Sequence, residues 1–519
     1  MKQTNHPSDL SVCMNATRLL LALVLAIVCM GCAQGPMVLA HQRQESALAT
    51  TVSHGSADQW RAINRLSYGP TPGLLAEIQS ASNPLEWALG QLATAREASR
   101  QPARIPAELS SINASLPELF EGARKEREAR AAVPAGTVIN EVLPGQRRFD
   151  FSQAPDPLFF NRTQVNKAVA WRLAACSNDQ IEHPLLARLT EFWFNHFNVF
   201  QQKGPVRAFA GHYALHVARA HALGRFEDLL LASARHPAML YYLDQWLSVA
   251  PGRGGPNARG LNENYARELM ELHTVGVQGG YTQQDVRELA RIFSGWTVSP
   301  RSPDGFQFVM RWHDTGQKVW MGHELPASPT QAGQAEGELA IRHLARHPST
   351  ARRIAQRLAE YFVSDVPPTR LVDALARTFV ETQGDLYRVM QNLIASPDFW
   401  AAENRLFRTP FDFACGALRV LDVGAEKSKW QQAFVFTAVA GQPVQSWQTP
   451  DGYSFSASAW MTPEALSRRI DFALNIARNA PERTDLYAYL GSVSLSAVMK
   501  QDPTQRMGLF LGSPEFIFK

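Results

Sequence analysis

NENYARELMELHTVGVQGGYTQQDVRELARIFSGWT, residues 262–297, sets two Asn, four Glu, one His, a diglycine and a Trp among two short apolar stripes. Tyr265, Leu269 and Leu272 recur at i, i+4 and i+7 and predict a helix from Asn264 to Val275 with that face turned inward. At about 100° per residue, Glu268 lies about 60° to one side of the apolar face and His273 about 80° to the other. The two diverge by about 140°, so on an unbroken helix they cannot ligate one metal ion. Gly276 is a reasonable C-cap, Gly279-Gly280 turns the chain, and Thr282 with Asp285 three residues later opens a second helix with a capping box. Val286, Leu289, Ala290 and Phe293 form the apolar face of that helix. The connecting loop lacks the acidic alternation of a calcium-binding EF-hand. The polar residues of this helical hairpin have two readings: caps and ion pairs of a scaffold, or one wall of a site made by Asn264, Glu268 and Glu271.

Working outward, the helical period holds from Gln164 to Gln391, with breaks at Pro184, Gly204-Pro205, His236-Pro237 and Pro251–Gly260, and returns near the C-terminus. The fold class is therefore mainly α, a large multi-helix domain. One patch departs from it. Phe306–Trp312 and Lys318–Met321 are aromatic and β-branched, and predict a small β-hairpin near 306–321 whose turn carries His313-Asp314. The charged run Glu118–Ala131, set between Pro-containing loops, reads as a surface insertion. The predicted organisation is a signal peptide at 1–40, an N-terminal helical segment of the main domain at 41–100, the insertion at 101–160 and the main helical domain at 161–519. Asn392–Phe399 echoes Leu509–Phe516, each a helix end stopped by Ser-Pro with a Phe packing back on it.

With 519 residues, 45% hydrophobic and 19% charged, the chain can bury a large core. Lys2 and Arg18 precede the apolar stretch Leu19–Met30, which is too short for a bilayer core of about 30 Å, and Val38-Leu39-Ala40 is a small-residue cleavage site. A cleaved export signal follows, placing the protein in the periplasm or outside the cell; the alternative is a lipoprotein anchored at Cys32. No later stretch is apolar for long enough to span a membrane. The formal net charge of +4 is spread among interspersed acids and bases, which excludes a nucleic-acid partner that would want a concentrated basic face. Beyond the leader only Cys176 and Cys415 remain; they either pair in an oxidising compartment or are buried small hydrophobes.

Three further constellations bear on chemistry. Leu189, Phe192 and His196 share a helix face, so His196 is expected to be buried, with a partner for each ring nitrogen: a backbone carbonyl, a carboxylate such as Glu268, or a metal. His313 and Asp314, with Lys318 close behind, converge in a turn either on a ligand or as ordinary turn chemistry. Trp447, Tyr453 and Trp460 stand on a Pro-containing loop at 441–461, where they stack a sugar ring or staple the loop to the core. His212 and His216 have the i, i+4 spacing of a metal pair but no acidic third ligand nearby. The loop Pro251–Asn257 matches neither a Walker nor a dinucleotide fingerprint. No Gly-x-Ser-x-Gly, Ser-x-x-Lys or His-Glu-x-x-His is present, which removes the usual support for serine hydrolases and zincins.

Phe192-Trp-Phe-Asn-His-Phe197, Pro237–Asp244, Asn262–Thr274, Gly279–Trp296, His313–Lys318, Arg65–Thr71 and Asp451-Gly-Tyr453 together resemble a bacterial family, domain of unknown function 1800, across nearly all of the chain beyond the leader. The segment at 101–150 is longer than that family's usual one, and His343 stands where an ordinary helix residue is expected. The resemblance implies an exported, mostly helical protein, often encoded beside a partner of the domain of unknown function 1501 family, which resembles sulfatases. It supplies no catalytic residues. The leading functional reading is an exported envelope protein that acts with a partner in assembly, export or modification of a surface polymer or secreted protein. The alternative is a metal-dependent hydrolase of a glycan or phosphoester. There His196, Glu268, His313 and Asp314 would bind a divalent ion, Glu271 would be the general base, and Asn264, Lys318, Trp447 and Tyr453 would contact substrate.

Overall fold

Helices begin where a short polar side chain precedes a proline. Thr71-Pro72, Asn83-Pro84, Thr409-Pro410, Thr462-Pro463 and Asp502-Pro503 all do this, and in each the cap oxygen accepts an N–H of the first turn. The cap satisfies one orphan donor, and proline removes another at no cost. In this computed structural model residues 54–134, 156–255, 259–327 and 333–519 are described. The expected leader, Cys32, the 135–155 part of the expected insertion and residues 256–258 lie outside them. The chain is mainly α, as its periodicity predicts, with two two-stranded antiparallel sheets among the described residues. None of the described helices is long and apolar enough to cross a membrane. The two Ser-Pro echoes share one structure: Ser396 and Ser513 each cap a further short helix, Pro397–Trp400 and Pro514–Ile517, by accepting the N–H of Phe399 and Phe516.

The apolar core draws on residues from Ala62 to Ile517. The helix Pro184–His196 runs through it with Leu185, Leu189, Phe192 and Trp193 buried. Fully buried arginines tie distant segments together through backbone carbonyls. Arg408 donates to Phe516 O (2.7 Å) and Tyr68 O (2.6 Å), and Arg419 donates to Gly69 O (2.7 Å) while pairing with Asp179. Cys176 and Cys415 form a buried disulfide, which decides between the two readings of these residues. The helix Leu116–Ala131 turns Leu119 and Phe120 into the core, with Phe120 against the Phe209 ring at 4.7 Å, and leaves Arg124 to pair with Glu121 and Glu128 outside.

The small β-hairpin near 306–321 is present with a different strand pairing, and one helix is corrected. The strands of the 306–321 patch form but do not pair with each other. β1 (Trp296–Val298) takes β2 (Phe306–Phe308), and β3 (Lys318–Trp320) takes β4 (His323–Leu325). Met321 (φ 48°) and Gly322 (φ 77°) supply the two-residue loop with positive φ that a tight hairpin needs. The 262–275 segment is not one α-helix either: Glu263–Glu268 is α, and Leu269–His273 is a π turn. Such a turn widens the helix by a residue, so the 3.6 period used to place Glu268 and His273 fails within it.

Candidate functional site

The π turn leaves carbonyls without an intrahelical partner, and two of them reach outward. His273 O is 3.1 Å from His196 Nε2, and Leu272 O accepts from Arg353 Nε at 3.0 Å. His196 is thus the buried histidine the sequence predicts, with the backbone carbonyl as its partner. Burial, then Arg357 and Arg353, hold its imidazole well below the ordinary range and therefore neutral. His273 packs beside it, with Phe197 at 5.2 Å, and burial and Arg353 lower it to about 3.

The same helix end anchors the 441–461 loop. Asn195 exchanges two hydrogen bonds with Tyr453, Nδ2 donating to Tyr453 O (2.9 Å) and Oδ1 accepting from Tyr453 N (2.7 Å). Asn198 Nδ2 donates to Trp447 O and Thr449 O, and Gln201 Nε2 to Val444 O and Ser446 Oγ. Tyr242 Oη donates to Gln448 O at 2.7 Å. At Gly452 (φ 74°) a Cβ would lie 2.2 Å from Asn195 O, so that position needs glycine on both conformational and steric grounds. Motifs from 192–197, 237–244 and 262–274 therefore converge on one loop and on Arg353.

Between that loop and the helix Pro348–Phe362 lies an open cleft of about 660 Å³, within the size range of small-molecule sites. Arg353, Arg357, Arg468, Trp447, Tyr453 and Trp460 line it, with Asp451 and Glu464. Arg468 pairs with Glu464 at 2.5 Å. Asp451 Oδ1 accepts from Trp447 Nε1 (2.8 Å) and Thr449 Oγ1 (2.6 Å). Tyr453 and Trp460 are buried and spend their polar atoms on Pro443 O and Ser454 O, so they staple the loop as well as lining the cleft. Trp447 is half-buried, 4.8 Å from the Tyr453 ring, and keeps surface for a ligand.

The remaining predicted residues fall elsewhere. Glu268 is half-buried; burial, then Glu271 and Asp451, push its carboxyl up against the opposing Arg267, so it lies within electrostatic reach of the cleft without lining it. Glu271 accepts from Tyr281 Oη at 3.3 Å, and Asn264 is exposed on the first helical turn. His313, Asp314 and Lys318 belong to a separate buried network. Arg291 grips both oxygens of Asp314 (2.9 and 3.1 Å), and Lys318 Nζ is fully spent on Asp314 O, Gly316 O and Glu336. Although burial pushes Asp314 up, its bonds from Arg291 and the Gly316 N–H hold it below the usual carboxylate range. His313 Nδ1 lies 2.8 Å from Ser294 O, and its Nε2 3.4 Å from Glu336.

Among the described residues no three His, Cys, Asp or Glu side chains are grouped to hold a metal ion. The expected set of His196, Glu268, His313 and Asp314 is thus not assembled: a carbonyl occupies the Nε2 of His196, Arg291 occupies Asp314, and Glu268 stands apart. The Lys318 ammonium, expected to contact substrate, is buried and spends its three donors within the protein. His212 and His216 stack at 4.0 Å, but His212 Nδ1 meets His236 Nε2 (3.0 Å) and His216 Nε2 meets Asn113 Oδ1 (2.7 Å). Sequence reasoning missed Arg353 and Arg357. The available signal was Arg357 standing three residues after Ile354 and four before Tyr361, at the edge of a buried helix face.

A family described as protein of unknown function (DUF1800) has a model matching residues 61–516. No curated protein and no solved structure matches the chain.

Proposed function

The chain belongs to the DUF1800 family, and because membership brings no assigned chemistry we propose, from its own residues, that it is an exported envelope protein that holds a surface polymer in the Arg353–Trp447 cleft. With a partner protein, it serves that polymer's assembly, export or modification. The observation that carries this reading is the cleft itself. It is open, unlike the sealed network around His313 and Lys318, and it joins charged arginines to an available tryptophan face. Two features of the chain support it. The Cys176–Cys415 disulfide suits an oxidising compartment, and two sequence motifs spend side chains, Asn195 and Tyr242, on positioning the cleft loop. Among the described residues the metal-dependent hydrolase has no grouped ligand set to support it.

The test is an affinity capture with the purified chain carrying Trp447→Ala as its control. Wild-type protein is expected to retain polymer and a protein partner from the envelope fraction of its own cells, and the variant to lose the polymer. Retention of neither by the wild type would sink the proposal.

A further inference from the structure

The cleft carries positive charge that the protein neutralises only in part. Arg353 and Arg357 are one helical turn apart and both line it, a spacing at which like charges repel. Among the described residues Arg353 has no ion-pair partner; its Nε is spent on Leu272 O, and Glu360 and Glu271 act on it only at longer range. Arg357 makes only a long ion pair with Glu360, at 3.7 Å, and feels Asp451 at greater range; its guanidinium lies 4.5 Å from the Phe455 ring, and its Nε is buried without a hydrogen-bond partner. Burial lowers the pKa of both groups, the direction expected of cations held apart from water. The third cleft arginine, Arg468, is already matched by Glu464. Asp451, the other carboxylate in the cleft, is turned to Trp447 and Thr449. The same cleft offers the half-buried face of Trp447.

A ligand satisfying both features carries a planar anion for the guanidinium groups, which bind carboxylates in a two-pronged fashion, beside a flat apolar face for the indole. An acidic sugar chain has both. Resting on the surface-polymer reading, we infer that the cleft binds an acidic glycan, its carboxylate held by Arg353 and Arg357 and an adjacent sugar ring set against Trp447.

Calorimetric titration of the full chain with oligogalacturonate, its fully methyl-esterified form and oligoglutamate tests this. The free acid is expected to bind at least about tenfold more tightly than the ester, since one lost charged pair reaches that size. That difference should shrink as salt rises from about 0.05 to about 0.5 M. Arg353→Gln and Arg357→Gln should each bring binding of the acid down to that of the ester. Arg352→Gln, on the same helix but paired with Asp373, should not. Equal binding of acid and ester overturns the inference and leaves the surface-polymer reading standing. Oligoglutamate binding as tightly as oligogalacturonate overturns it in favour of an acidic peptide. Absence of binding by every probe overturns it, and when the envelope capture also fails, the polymer reading falls with it. The acid–ester comparison uses unaltered protein, so it holds even where a variant folds poorly.

Discussion

At the scale of single residues, Asn195 and Gly452 decide whether the cleft exists. The Asn195 amide closes both hydrogen bonds of Tyr453 as a neighbouring strand would, and Gly452 lets the backbones approach that closely. Asn195→Ala leaves a buried N–H and C=O unpaired, and should cost about 1–3 kcal/mol in urea unfolding while raising the solvent exposure of Trp447 measured by fluorescence quenching. Gly452→Ala adds a strained φ to a steric clash, so it should destabilise by more than the roughly 1 kcal/mol of an unstrained glycine replacement. A Gly452→Ala protein with wild-type stability and quenching would remove Asn195 from the role given it. Asn195 stood in a recognisable motif, but its partner lies 258 residues away, and no local pattern announces such a pairing. The fate of His196 was legible because helix periodicity places it on the apolar face, and a buried imidazole must find a partner.

At the scale of elements, periodicity reported the helices well and their local exceptions badly. The Thr282–Asp285 capping box is present in full, both halves bonded, since such a box is a purely local arrangement. The π turn at Leu269–His273 escaped because it alters the period from which side-chain directions are read. The strands near 306–321 were visible as strands, whereas their partners, β1 and β4, lie outside the window. Arg353 and Arg357 drew no functional reading from the sequence, because only the distant 441–461 loop turns that face into a cleft. The His313–Glu336–Lys318 network is structural on this geometry. Lys318→Met should cost about 3–5 kcal/mol, the range for stripping one partner from a buried ion pair. Adding Glu336→Leu should recover a measurable part of that loss, because no uncompensated carboxylate then remains. If the double variant is no more stable than the single one in urea titrations, the pair is not the coupled unit described.

At the scale of the whole molecule, the disulfide and the buried histidines set the conditions under which the fold persists. Cys176→Ala with Cys415→Ala should lose about 2–5 kcal/mol, the usual cost of removing a native bridge. A pair of melts with and without reductant gives the same comparison, and coincident curves would count against a stabilising bridge. Burial, followed by Arg353 at His273 and His216 at His212, holds those imidazoles at about 3. Burial also holds His183 at about 4 despite Asp179. An unfolded chain protonates these groups near pH 6.5. It therefore binds protons that the folded chain refuses, and stability is full above about pH 6.5 and falls as the pH drops toward 4. Urea midpoints at about pH 7.5, 5.5 and 4.5 should decrease in that order. The cleft also has a timetable. Its walls are contributed by Arg353, Arg357 and residues between 439 and 468, its loop is anchored by Asn195, Asn198 and Gln201, and a chain is synthesised N-terminus first. Asn195, Asn198 and Gln201 emerge long before the loop they clasp, so until some 250 further residues have followed these amides have only water for partners. Closure of the cleft is thus a late event of folding. A fragment ending before residue 441 should remain protease-sensitive however long it is left to mature.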